Sequence, residues 1–117
     1  MPRRDVRMYL KDVLDACDAI MEYTRAETEE RYRESRYFRS ATEREFSIIG
    51  EAVVQMLKIR PSLASRISNS ESIAKFRNIL IHAYDLVDHG IMWQTLVEDV
   101  PVLRKEIAGL LDETQTP

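Results

Sequence analysis

The sequence predicts an all-α protein, an up-and-down bundle of four or five helices, and three observations carry that prediction. Only three glycines and four prolines occur, mostly at the ends of periodic segments, which favours long helices over many short strands and turns. Apolar residues recur at three- and four-residue spacing, the mark of a single buried helical stripe. Capping residues stand ahead of several of those stripes. At 117 residues the chain is expected to be one domain, 1–117, with a single core.

The first helix is expected to begin at Asp5, a suitable N-cap. Val6, Leu10, Val13, Leu14, Cys17, Ile20 and Met21 form its buried stripe, which fades at Thr24. Residues 25–39 interleave Arg and Glu with few apolar anchors, and read as a short exposed helix plus a connection. Ser40-Ala41-Thr42-Glu43 has the form of a capping box. The helix it would start buries Phe46, Ile49, Val53, Met56 and Leu57 and stops before Pro61. Ser68-Asn69-Ser70-Glu71 offers a second capping box, ahead of a stripe of Ile73, Phe76, Leu80 and Tyr84. Asp88 can cap a last helix running from Ile91 and Met92 to Leu110 and Leu111, which Pro101 should kink.

Composition excludes several classes. No apolar run is long enough to span a bilayer, and the first residues lack the apolar stretch of a signal peptide, so no membrane association is expected and the cytoplasm is the default compartment. Cys17 is alone, so no disulfide can form within the chain, and its apolar neighbours mark it as a core thiol. A net charge of −3 argues against coating nucleic acid non-specifically. The charge is uneven, however. Residues 58–77 hold Lys58, Arg60, Arg66, Lys75 and Arg77 against Glu71, whereas residues 78–117 are strongly acidic. Either a phosphate-bearing ligand or ordinary surface variation accounts for that.

The usual catalytic motifs are missing. There is no glycine-rich phosphate loop, no HExxH, no Cys/His metal spacing and no nucleophile elbow, so neither a cofactor nor a metal is expected. His89, beside Gly90 in a turn, reads as a surface residue. His82 differs, because Arg77-Asn78-Ile79-Leu80-Ile81-His82-Ala83-Tyr84-Asp85 flanks an apolar segment with residues able to do chemistry. Taken alone, Arg77 reads as a surface ion pair with an acid of the last helix, His82 as a satisfied histidine at a helix end, and Tyr84 as a half-buried core residue.

Arg77, four intervening residues, His82, Ala83 and Tyr84 resemble the RX4HXY signature of HepT-type HEPN proteins. The likeness extends to the first amphipathic helix, to Phe46-Ser47-Ile48-Ile49-Gly50-Glu51-Ala52, to Val87-Asp88 before Ile91-Met92-Trp93, and to Asp99-Val100-Pro101-Val102-Leu103. The resemblance implies an HEPN-like bundle that dimerises, with Arg and His of both protomers in one cleft that cuts RNA without a metal. It implies the toxin of a type VII-like toxin–antitoxin pair, silenced when a minimal nucleotidyltransferase antitoxin adds AMP to the motif tyrosine. Arg77 and His82 would then be catalytic, Asn78 and Asp85 supporting, and Tyr84 the modified residue. The alternative is a non-catalytic bundle that binds nucleotide or presents substrate to a nucleotidyltransferase.

The chemistry suits RNA, whose own 2′-hydroxyl is the nucleophile. A histidine can move protons near neutral pH, and an always-charged planar Arg can hold the phosphate oxygens. On a straight helix, residues five apart differ by about 140° and ~7.5 Å, so Arg77 and His82 should not converge within one chain. Arg77 and Tyr84, seven apart, are expected to share a face and a cleft. Trp93 reads as core or dimer interface. Tyr32, Tyr37 and Phe38, set among arginines, suit either single-stranded RNA or docking of the antitoxin.

Overall fold

Asp5 caps α1 (Val6–Thr24), its carboxylate accepting from the Met8 amide at 3.0 Å. In a computed structural model the chain is described over residues 4–115, so both ends of the expected domain 1–117 lie outside the described residues. Val6, Leu10, Val13, Ala16, Cys17 and Ile20 of α1 are buried as one stripe. Burial pushes the Cys17 thiol up to about 12, which keeps it protonated and inert at neutral pH.

A short helix and a long one follow, as expected, but the long one starts earlier. α2 (Glu29–Glu34) is short, and α3 (Arg36–Ile59) begins well before Ser40. Ser35 is the true cap, its Oγ accepting from Phe38 N at 3.1 Å. Thr42, expected inside a capping box, is buried within the helix and returns its hydroxyl to the Phe38 carbonyl. The stripe Phe46, Ile49, Val53, Met56 therefore continues backward at the same spacing through Thr42 to Phe38. As expected, α3 stops ahead of Pro61, which opens a 3-10 turn, Pro61–Ser65.

The second expected capping box also fails. α4 (Ser70–His82) starts after Asn69, whose left-handed backbone (φ 60°) suits Asn and whose side chain caps nothing. Ser68 instead binds Glu106, its hydroxyl donating at 2.6 Å. Asp88 does cap α5 (His89–Gln94), accepting from Ile91 N at 3.0 Å. α5 runs on through one π turn, Thr95–Asp99, into α6 (Val100–Gln115). Pro101 cannot donate to the carbonyl four residues back, and the wider turn just upstream absorbs the misfit. Counting α5 to α6 as one bent rod gives five helical rods, with no strand among the described residues.

Cross-links fix the directions. Tyr9 lies by Glu51 and Ala52, and Ala16 and Ala19 by Glu45, so α1 and α3 are antiparallel. Asp18 meets Arg104, while Val6 and Leu10 lie by Leu110 and Glu113, so α6 also opposes α1. Glu51 meets Arg77 and Glu43 meets Tyr84, so α4 runs back along α3. The result is an up-and-down bundle with one core among α1, α3 and α6, which Phe76 extends toward α4 edge-to-face on Phe46 at 5.8 Å. No helix of the described residues is long and apolar enough to cross a membrane.

Candidate active site

α4 and the turn after it carry every residue the sequence singled out. The helix ends at His82 because Ala83 leaves helical geometry (φ −145°, ψ 50°), and Tyr84–Leu86 continues as a 3-10 turn. Arg77 and Ile81, one turn apart, face a groove of about 280 Å³ that Arg44, Ser47 and Glu51 of α3 also line. Asn78 and His82 are likewise one turn apart, on the adjoining face, and both are exposed. Asn78 Oδ1 accepts from the Arg77 guanidinium at 2.8 Å and so links the two faces.

Arg77 is ion-paired, though with α3 rather than the last helix. Its second guanidinium nitrogen donates to Glu51, and its Nε is buried without a hydrogen-bond partner. Gly50 permits this arrangement. A Cβ there would stand 2.4 Å from Arg77 Cβ and 2.6 Å from its Cγ, so α4 approaches α3 this closely only over a residue with no side chain. Gly50→Ala should gain about 1 kcal/mol of helix propensity yet lose ~1–3 kcal/mol to the forced parting of the helices. Melting should show a net loss or no gain in stability, with Arg77 displaced from the groove.

Tyr84 does not share that groove. Its place two residues beyond the end of α4 takes it off the helix face that a seven-residue spacing assumed. Its hydroxyl donates instead to Glu43 Oε1 at 2.8 Å, eight residues before Glu51 and thus about 12 Å along α3. Glu43 is buried, and its Oε2 accepts the hydroxyl of Tyr32 at 2.6 Å. Burial, then the bond to Glu43, raises both tyrosines above the ordinary phenol value, while the nearby Arg39 guanidinium pulls Tyr84 the other way. Asp85 is exposed and makes no hydrogen bond to His82.

Three expectations about neighbouring residues change as well. His89 is half-buried, its Nδ1 3.9 Å from Glu43 Oε2 and its ring against Tyr32 and Tyr84. Tyr32 is fully buried and Phe38 nearly so, hence neither offers a face to RNA, whereas Tyr37 is 86% exposed. Trp93 packs on both of them, as a core residue should. The sequence reading missed Glu43, Glu51, Arg39 and Tyr32. The backward run of the α3 stripe was the signal that Glu43 lies inside a helix.

A more enclosed, apolar cavity of about 460 Å³ between α4 and α6, lined by Ile73, Phe76, Val100 and Leu103, contains neither Arg77 nor His82. Among the described residues no three His, Cys, Asp or Glu side chains are grouped to hold a metal ion.

The sequence profile described as "Ribonuclease HepT-like" matches residues 13–110, a span that includes Arg77, His82 and Tyr84. The chain belongs to the HepT-like ribonuclease family. Its relatives agree with this. A Methanocaldococcus jannaschii protein named "Gamma-glutamylcyclotransferase and putative RNase MJ0434" is 34% identical over 95% of this chain and 50% of its own length. "Putative RNase MJ1380" of the same organism is 31% identical over 92% of this chain and 97% of its own. "Probable ribonuclease HepT" of Thermococcus cleftensis is 34% identical over 92% and 97%. The HepT-like chain thus spans half of the first relative and nearly all of the other two. No solved structure matches it significantly. Family and relatives together support a ribonuclease of HEPN architecture.

Proposed function

We propose that this HepT-like chain is a metal-independent endoribonuclease that works as a homodimer, the toxin of a pair whose antitoxin is a minimal nucleotidyltransferase. Arg77 and His82 are its catalytic residues, Asn78 steadies Arg77, and Tyr84 receives AMP when the toxin is silenced. The observation that carries the reading is a guanidinium held at a groove by Gly50 and Glu51, with an exposed imidazole five residues on at the helix end.

His82 takes the proton of the 2′-hydroxyl as it attacks the adjacent phosphorus, and a second His82 returns a proton to the departing 5′-oxygen. Arg77 holds the non-bridging oxygens as charge builds on them, exchanging Glu51 for phosphate. One chain supplies one such pair on diverging faces of α4, so a complete site needs two copies. Ile81, Tyr84 and Leu86 are exposed apolar surface beside His82 and suit that contact. Asp85, in the same turn, would face the partner or the RNA.

The test is cleavage of a short RNA by the purified chain in excess chelator, with the ends of the products identified. A 2′,3′-cyclic phosphate and a 5′-hydroxyl are expected, and a single 2′-deoxy substitution at the cut nucleotide should abolish that cut. Cleavage that survives the substitution would sink the mechanism. The pairing of Arg77 with Glu51 favours a second reading, a non-catalytic adaptor that binds nucleotide or a nucleotidyltransferase. Tight nucleotide binding with no RNA cleavage would decide for it.

A further inference from the structure

The carboxylate of Glu43 has no part in the nuclease scheme, yet it is buried and bonded on both oxygens. It sits on α3 with 8% of its surface exposed and accepts hydroxyls on both oxygens, Tyr32 from α2 and Tyr84 from the turn after α4. Each of its oxygens thus faces one phenolic hydroxyl. A carboxylate 2.8 Å from the Tyr84 hydroxyl is within reach of its proton, while Tyr84 itself stays 46% exposed to solvent.

We propose that Glu43 orients Tyr84 for nucleotidyl transfer and takes its phenolic proton as the new bond forms. This rests on the reading that Tyr84 is the modified residue. The step balances as follows. Tyr84 Oη attacks the α-phosphorus of a nucleoside triphosphate, an O–P bond forms, and the bond from that phosphorus to the bridging oxygen breaks to release pyrophosphate. The phenolic proton passes to Glu43 and from there to solvent.

The surroundings favour Glu43 over other acceptors. Tyr32 is itself a donor to the same carboxylate, and Arg39 is a permanent cation. His89 makes no hydrogen bond to Tyr84, their ring centroids standing 6.1 Å apart. Tyr84 titrates above the ordinary phenol range, so free phenolate is scarce at neutral pH and the proton must leave during attack. After transfer the hydroxyl donor is gone, and a phosphodiester anion stands beside Arg39 rather than Arg77, the residue that the seven-residue spacing suggested.

The experiment incubates the chain with a purified minimal nucleotidyltransferase and Mg-ATP, and follows AMP addition by intact mass. Glu43→Gln preserves size and can still accept Tyr84's hydrogen bond but cannot take the proton. Its rate should fall about 100-fold or more at neutral pH, with KM for ATP unmoved. That rate should climb with pH as hydroxide takes over, a response that a merely structural role does not produce. Glu43→Asp should recover part of the rate, and Tyr84→Phe should accept no AMP. Transfer to Glu43→Gln at the wild-type rate overturns the proposal. So does a slow rate that is flat with pH, or a folded Glu43→Asp chain no faster than Glu43→Gln. A wild-type chain that takes no AMP removes the reading of Tyr84 and this proposal together, and is told apart because no variant is needed to see it.

Discussion

Arg77→Ala and His82→Ala are each expected to reduce RNA cleavage by about 10²–10⁴-fold, measured as initial rates on a short RNA in excess chelator. Unfolding should barely respond. His82 is exposed, and the Arg77–Glu51 pair is part-exposed, so each change should cost no more than about 0.5–1 kcal/mol. The loss is therefore catalytic rather than structural. Arg77→Lys separates charge from shape. A lysine keeps the cation but loses the fork that binds Asn78 and Glu51 at once, and it cannot clasp two phosphate oxygens. It should behave much more like alanine than like arginine. Wild-type cleavage by Arg77→Ala or by His82→Ala would remove that residue from the site.

Tyr32→Ala should cost about 3–5 kcal/mol in urea unfolding, the largest stability effect expected of any single residue outside the three-helix core. Tyr32 is fully buried between Phe38, Trp93 and His89, and its ring joins α2 to α3 and α5. Truncation opens a cavity and strips one hydroxyl from a buried carboxylate. Tyr32→Phe isolates the second effect and should cost about 1–3 kcal/mol. Against a total stability of ~5–15 kcal/mol, the alanine variant should stand near the edge of unfolding at 37 °C while the phenylalanine variant stays folded. Equal small costs for both would mean that the ring is not the joint between these helices.

The long amphipathic helices were legible because their signal is periodic and local. All seven stripe positions read in α1 are buried or pack on the core, as are those named for the last helix except Ile91, which is exposed. Asp5 and Asp88 were legible as caps for the same reason, since each acts on an amide three residues away. Ser40 and Ser68 had the right letters but lost to Ser35 and to Glu106, because a capping box states a capacity, and only the run of the neighbouring helix decides whether it is used. In the region 25–39 the short helix was legible, but its buried anchors and the early start of α3 were not, for a deeper reason. Arg and Glu dominate it, and the two aromatic rings that anchor it, Tyr32 and Phe38, pack on each other and on His89 and Trp93 of α5, more than fifty residues away.

The site divided in the same manner. Arg77, His82 and Tyr84 stood out by spacing, and the caution that Arg77 and His82 diverge on one helix followed from helix geometry alone. What sequence spacing could not give was the partner of each side chain. Glu51 on Arg77 and Glu43 on Tyr84 are contacts between α3 and the α4 region, fixed by the close approach at Gly50. The end of α4 at His82 then separates Tyr84 from the groove that a continued helix would have given it.

A dimer built from one Arg77→Ala chain and one His82→Ala chain tests the two-chain site directly. Each parent homodimer lacks both copies of one group, but the mixed dimer keeps a guanidinium from one chain and an imidazole from the other. Isolated through two different tags, it should cut RNA above either parent and below wild type, since one imidazole must serve as both base and acid, in chelator and at the same bonds as wild type. Mixed dimers as inert as their parents, or full cleavage by a wild-type chain that sediments as a monomer, would contradict a catalytic centre shared between two copies.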